Sequence, residues 1–176
     1  MSETIVPRWE WRTFDEAFGA VDRRFDALEP ESIRETDEVY VLSRLSDSSV
    51  KLREQTIDVK VLREVSLDGL ERWEPVLKAP TARPAEDFGA LAAALGVDVR
   101  SIRVHKRRAH YLLDGCMVER SQIDTEHGTR ATIGIESEDA DLVRSTVTGL
   151  GFTLAGNLNL PRELKLLAGL VANWHV

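Results

Sequence analysis

Val50-Lys51-Leu52-Arg53-Glu54-Gln55-Thr56-Ile57-Asp58-Val59-Lys60 alternates apolar and charged side chains on both sides of a short polar link. Residues two apart on a strand share a face. Val50 and Leu52 therefore lie on one face and Lys51 and Arg53 on the other, and Asp58 and Lys60 share a face in the next strand. A half-buried surface strand gives the same pattern. The pattern recurs in Glu10-Trp11-Arg12 and in Lys106-Arg107-Arg108, with Glu119 and Glu136 among the cations. That repetition points to a sheet face gathering charge of both signs, suited to a polyanion and a divalent metal together.

Working outward, short strands are expected over Pro7–Phe14, Glu35–Arg44, Val50–Arg53 and Ile57–Val65, with Leu45 to Ser49 as a turn. Helical spacing of Phe18, Val21 and Phe25 predicts a helix over about 15–28. Leu70–Lys78, interrupted by Pro75, reads as a short helix, and Ala85–Leu95 as a stronger one ended by Gly96. A second strand run covers Arg103–Leu113, Gly115–Ile123 and Arg130–Ser137, with Asp114-Gly115 and His127-Gly128 as turns. Helices over Asp139–Leu150 and Pro161–Trp174 close the chain. Roughly eight strands, split three or four on either side of a helical insertion, suggest an antiparallel sheet closed or nearly closed into a barrel, with an open sheet covered by helices on one face as the alternative.

The 176 residues fit one domain over 1–176, large enough for a core without disulfides. No apolar run approaches a membrane span, and the first seven residues carry no secretory pattern, so a cytoplasmic, non-membrane protein is expected. Cys116 has no partner and reads as a buried structural thiol. A net charge of −7 argues against binding duplex nucleic acid. Local cations in an acidic chain fit a small anion in an enclosed site. Trp9 and Trp11 share a face opposite Glu10, as expected for packing under a helix or at a homodimer contact. None of the four histidines shows an evident acid partner or metal spacing in the sequence. The alternation leaves open whether Lys106 and Arg108 or Arg107 points inward.

At these motifs the sequence resembles the CYTH, or triphosphate tunnel metalloenzyme, superfamily. Arg8-Trp9-Glu10-Trp11-Arg12 is similar to its N-terminal E-x-E-x-K strand, and Val50–Arg53 with Asp58–Lys60 to its basic hairpin. Val104–Arg108 resembles its later basic strand, and Met117–Arg120 and Ile133–Glu136 its late acidic strands. The resemblance implies an α+β fold: an antiparallel eight-stranded tunnel-like β-barrel with flanking helices, forming one CYTH-like domain. It implies that Arg12, Lys51, Arg53, Lys60, Lys106, Arg108 and, at the tunnel mouth, Lys165 contact a phosphorylated substrate. Glu10, Glu119 and Glu136 would hold Mg²⁺ or Mn²⁺, with Glu10 and Glu136 also catalytic.

Two positions depart from that pattern. Arg8 stands where the first glutamate of E-x-E-x-K is expected, and Gly134 replaces the first acid of the late E-x-E. A register reading Glu136-Ser137-Glu138 as the acidic pair, or Asp58 or Asp124 as substitutes, would restore ligands. The leading expectation is a metal-dependent phosphohydrolase acting on a triphosphate-containing small molecule. The alternative is a non-catalytic or weakly catalytic module binding a phosphorylated ligand, and adenylate cyclisation ranks third.

Overall fold

The computed structural model describes residues 6–95 and 99–171; Gly96 and Trp174, assigned above to helix ends, lie outside them. The strands are β1 (Arg8–Asp15), β2 (Ser32–Ser43), β3 (Ser46–Arg53), β4 (Thr56–Val65), β5 (Glu71–Pro80), β6 (Val99–Leu113), β7 (Cys116–Thr125) and β8 (Gly128–Ser137). The α-helices are α1 (Ala20–Asp26), α2 (Pro84–Ala94), α3 (Ala140–Gly149) and α4 (Leu160–Leu167). The strands form a closed barrel in the order β1-β5-β4-β3-β2-β6-β7-β8. Closure excludes the open sheet; the β1–β5 seam that completes it is short, pairing Arg8–Glu10 with Glu71–Trp73. All neighbouring strands are antiparallel.

Four elements differ from the sequence expectation: β3 begins at Ser46, inside the stretch expected as a turn, α4 ends at Leu167 with Ala168 as its C-cap, well short of the expected Trp174, and two more depart further. The helix expected over 15–28 is confined to Ala20–Asp26, because Thr13, Phe14 and Asp15 stay paired with Ile133, Thr132 and Ala131. Leu70–Lys78 is not helical: β5 runs through it, pairing Glu71 with both Glu10 and Val65. Its Pro75 lies opposite Lys60 at a register shift in the β4–β5 ladder. An irregular ladder position tolerates a residue with no N–H to give. The expected Asp114-Gly115 turn forms the β6–β7 hairpin, with positive φ of 51° and 81° at its two residues.

Alternation sorts the barrel into layers. Outward-facing Trp11, Val118, Ile133 and Ile135 pack beneath Phe25 of α1 and Val143 and Val147 of α3. Trp11 stacks at 5.0 Å on Phe152, so the tryptophan face is covered by the chain's own elements. Val41, Val50 and Ile57 form a second outer cluster under Phe88 of α2. Cys116 is fully buried and accepts a hydrogen bond from the Thr146 hydroxyl, the structural role expected of it.

Inside the barrel, Tyr40, Leu42, Ile102, Val104 and Ile123 gather with Phe14 at one end, where Leu160 and Leu164 of α4 pack against them. Charged side chains fill the middle and the opposite end. No helix among the described residues is long and apolar enough to cross a membrane. Trp11 is 1% exposed, and Trp11→Ala is expected to cost about 3–5 kcal/mol, measured by urea unfolding.

Candidate functional site in the barrel lumen

β1 presents Arg8, Glu10 and Arg12 inward, and the structure settles the face of 106–108. Lys106 and Arg108 are 4% and 6% exposed inside the barrel, whereas Arg107 faces out. Of the residues singled out in the sequence, Glu10, Arg12, Lys51, Arg53, Lys60, Lys106, Arg108, Glu119 and Glu136 meet in this interior. Their arrangement follows from pairing: Glu10 lies opposite Glu136, Lys51 opposite Asp58 and Tyr40, and Arg53 opposite Glu38.

Lys165 lies elsewhere. It is 3% exposed, and its ammonium donates to the Ser43 and Ser46 carbonyls at 3.1 Å each and to Asp47. An ammonium has three protons to give, so these contacts tie α4 to the β2–β3 turn and correct the expected role at the tunnel mouth. Asp124 and Glu138, weighed as substitute acids, are not lumen groups. Asp124 bonds Thr129 and Gln122, and Glu138 is exposed beyond the end of β8.

Glu38 is the acid that sequence reading missed. Its carboxylate accepts from Tyr40 Oη at 2.8 Å and Thr36 Oγ1 at 3.2 Å, pairs with Arg108, and lies 3.5 Å from Lys51 Nζ. Burial pushes its pKa up, but Lys51, Lys106 and Arg108 outweigh that and bring it down to about 2. The signal was the even-numbered face Arg34, Thr36, Glu38 and Tyr40, two apart throughout. Glu71 was missed with the strand that carries it. Burial raises its pKa, nearby Glu10 adds to that, and Asn159 Nδ2 and Trp73 Nε1 donate to it.

Lys51 is held down to about 8 by burial, with Lys106, Arg53 and Lys60 adding repulsion against the pull of Glu38. Glu119 receives Lys106 Nζ at 2.7 Å and Arg12 Nη1 at 3.1 Å, with His110 Nε2 at 3.5 Å. Burial opposes ionisation of Glu119, but Lys106 and Arg12 hold it well below the usual carboxylate range. His110 thus has an acid beside it, and exposed His105 sits between Glu35 and Asp37 at 2.9 Å each, partners not evident in the sequence. Arg53 pairs with Asp58 at 3.0 Å. Lys60 makes no ion pair among the described residues, and Arg108 Nε is buried without an acceptor among them.

Arg12 is fixed at both its ends. Its backbone N–H donates to Asn157 Oδ1 and its carbonyl accepts from Leu158, both at 2.8 Å. Its Nε donates to Glu10 at 2.9 Å, and Nη1 reaches Thr132 as well as Glu119. Glu136 is held by Arg8 at 3.2 Å. Glu10, Glu119 and Glu136 are therefore each turned to protein cations. Among the described residues, no group of three or more His, Cys, Asp or Glu is placed to hold a metal ion. Hard divalent ions need oxygen ligands free to converge, and this donor set as arranged does not fit Mg²⁺ or Mn²⁺.

The lumen opens at the end away from α4 through a cavity of about 340 Å³ lined by Arg34, Arg53, Lys78 and Arg108, with Glu35 and Glu54. A larger cavity of about 560 Å³ lies at the β2–β6–β7 surface, beside Asp37, His105, Asp124 and Glu126. Its acidic lining does not suit a polyanion.

The depressed pKa of Glu38 has a definite sign. The group stays ionised in the fold to about pH 2, so its contribution is complete above its ordinary value of 4.5 and lost as pH falls toward 2. Glu38→Gln is expected to flatten the stability-versus-pH slope across that window by on the order of 2–3 kcal/mol, read from urea unfolding at a series of pH values.

No family model and no curated protein matches the sequence. Solved structures do match. The PH1012 protein of Pyrococcus horikoshii OT3 is 19% identical with a TM-score of 0.57, over 88% of this chain and 98% of that one. HpAC1 of Hippeastrum, for which a dominant triphosphatase activity is described, is 13% identical with a TM-score of 0.57, over 96% and 99%. A Bacillus halodurans protein provisionally assigned as an adenylate cyclase is 10% identical with a TM-score of 0.58, over 89% and 97%. With its closed eight-stranded barrel, the chain shares the fold of these proteins over most of its length.

Proposed function

We propose that the lumen is a receptor for a triphosphate-bearing small molecule. The observation that carries this reading is the convergence of Arg8, Arg12, Lys51, Arg53, Lys60, Lys106 and Arg108 in one enclosed interior. There they outnumber the carboxylates, in a chain whose net charge is −7. Like charges this close repel unless an anion lies among them. A buried N–H with no acceptor costs about 1–3 kcal/mol, and a phosphate oxygen reaching Arg108 Nε would supply one. Lys60 makes no direct ion pair among the described residues and acts on Glu10 only at longer range, so its ammonium can turn to a ligand without breaking a contact.

Binding would proceed from the mouth inward. Arg34, Arg53 and Arg108 receive the anion at the opening, and Lys51 and Lys60 meet it deeper in the barrel. Because the cations are mounted on paired strands, little side-chain order remains to be imposed on binding. A second reading, metal-dependent hydrolysis of the bound triphosphate, is favoured by the activity described for HpAC1, which has the same fold. In that reading Glu136, whose partner Arg8 is 41% exposed, is the carboxylate most easily released. Nothing comparable supports cyclisation through a base-reading pocket.

Calorimetry with inorganic triphosphate is expected to show binding. Lys60→Met should weaken it about tenfold or more at a stability cost on the order of 1 kcal/mol, since Glu10 keeps Arg12 and loses only the more distant pull of Lys60. Absence of binding heat at millimolar triphosphate would sink the receptor reading. Phosphate release on adding Mn²⁺, abolished by Glu136→Ala, would select the hydrolase.

Lys51 gives a separate test. Its ammonium is partly deprotonated above about pH 8 in the free protein, and an incoming anion favours the charged form. Binding between about pH 8 and 9 should therefore take up protons, seen as a binding enthalpy that varies with the buffer's ionisation heat, and Lys51→Met should remove that variation.

A further inference from the structure

We propose that Arg12, seated against Gly134, is the resident cation of this lumen, and that a polyphosphate binds here with no divalent metal. The proposal rests on the receptor reading above and adds to it how the anion's charge is balanced.

The geometry starts at Gly134, directly opposite Arg12 on the β1–β8 ladder. A Cβ built on Gly134 would lie 2.6 Å from Arg12 Cζ, a distance side chains do not sustain. The missing side chain lets the guanidinium lie close against the β8 backbone. From there Nε holds Glu10 and Nη1 holds Glu119 and Thr132, while Nη2 donates to none of the described residues. The guanidinium thus bridges two of the three carboxylates a metal would use. It keeps its charge at any working pH.

Arg8 treats the remaining acid in the same way, pairing with Glu136. A metal entering this set would have to take Glu10 and Glu119 from Arg12 and Lys106, leaving buried cations uncompensated at large cost. A phosphate oxygen instead meets a charged donor already in place at Nη2. The two sequence departures act together: Gly134 makes the room and Arg12 fills it, while Arg8 brings a positive charge to the next acid.

The test separates metal uptake from ligand binding. Metal-stripped protein is titrated with inorganic triphosphate in excess EDTA, and Mn²⁺ retention by the protein alone is measured by equilibrium dialysis. Triphosphate is expected to bind in EDTA, with no Mn²⁺ retained at millimolar metal. Arg12→Ala/Gly134→Glu, confirmed as folded by circular dichroism, is expected to gain Mn²⁺ retention, and Arg12→Ala alone to weaken triphosphate binding in EDTA about tenfold.

Retention of one Mn²⁺ per wild-type chain, or triphosphate binding that requires Mn²⁺, overturns this proposal and leaves the receptor reading standing. A folded double variant that retains no Mn²⁺, or an Arg12→Ala variant with unchanged affinity in EDTA, also overturns it. No triphosphate binding with or without Mn²⁺ overturns both readings.

Discussion

The structure depends on one constraint: charges turned into a barrel must be compensated there, because water cannot do it for them. Glu38 shows the rule most fully. Its side chain has no exposure and is met by Arg108, Lys51, Tyr40 and Thr36 from strands β2, β3 and β6. Removing one partner would strand the others, so these strands are bound through their charged faces as well as their backbones. Such an interior contributes less to net stability than an apolar core would. The apolar clusters therefore lie outside the barrel, beneath α1, α2 and α3, and at the end that α4 covers.

Much of this was legible because a strand offers only two faces. Once Lys51, Arg53, Asp58 and Lys60 were read as strand residues, they had to share sides, and closure made that side an interior. Lys106-Arg107-Arg108 could not be settled this way, since both faces carry a cation. What decides it is that Ile102 and Val104, on the face of Lys106, belong to the apolar end of the lumen. Glu71 escaped because Pro75 suggested a broken helix, and a ladder shift that accommodates proline depends on the partner strand. Lys165 was misplaced because a helix sequence does not say which turn its side chain will meet.

The acidic positions carry the more general lesson. Glu10, Glu119 and Glu136 were rightly placed inside the barrel, but their partners were set by residues far away in sequence. Arg12 reaches Glu119 across 107 positions, and its backbone is fixed by Asn157 at 145 positions' separation. A motif identifies which acids face inward. Whether those acids are free to act depends on the cations the fold brings beside them.

The α4 cap has a consequence for the shape of any guest. Leu160 and Leu164 close the apolar end, and Lys165 anchors the helix to the β2–β3 turn. With that end stoppered, the barrel works as a blind socket: what enters must back out by the route it came. Under the receptor reading proposed above, a guest would then be probed terminus first: a phosphate chain with a bare end would seat itself, and one blocked at both ends would be turned away however well its middle matched the walls.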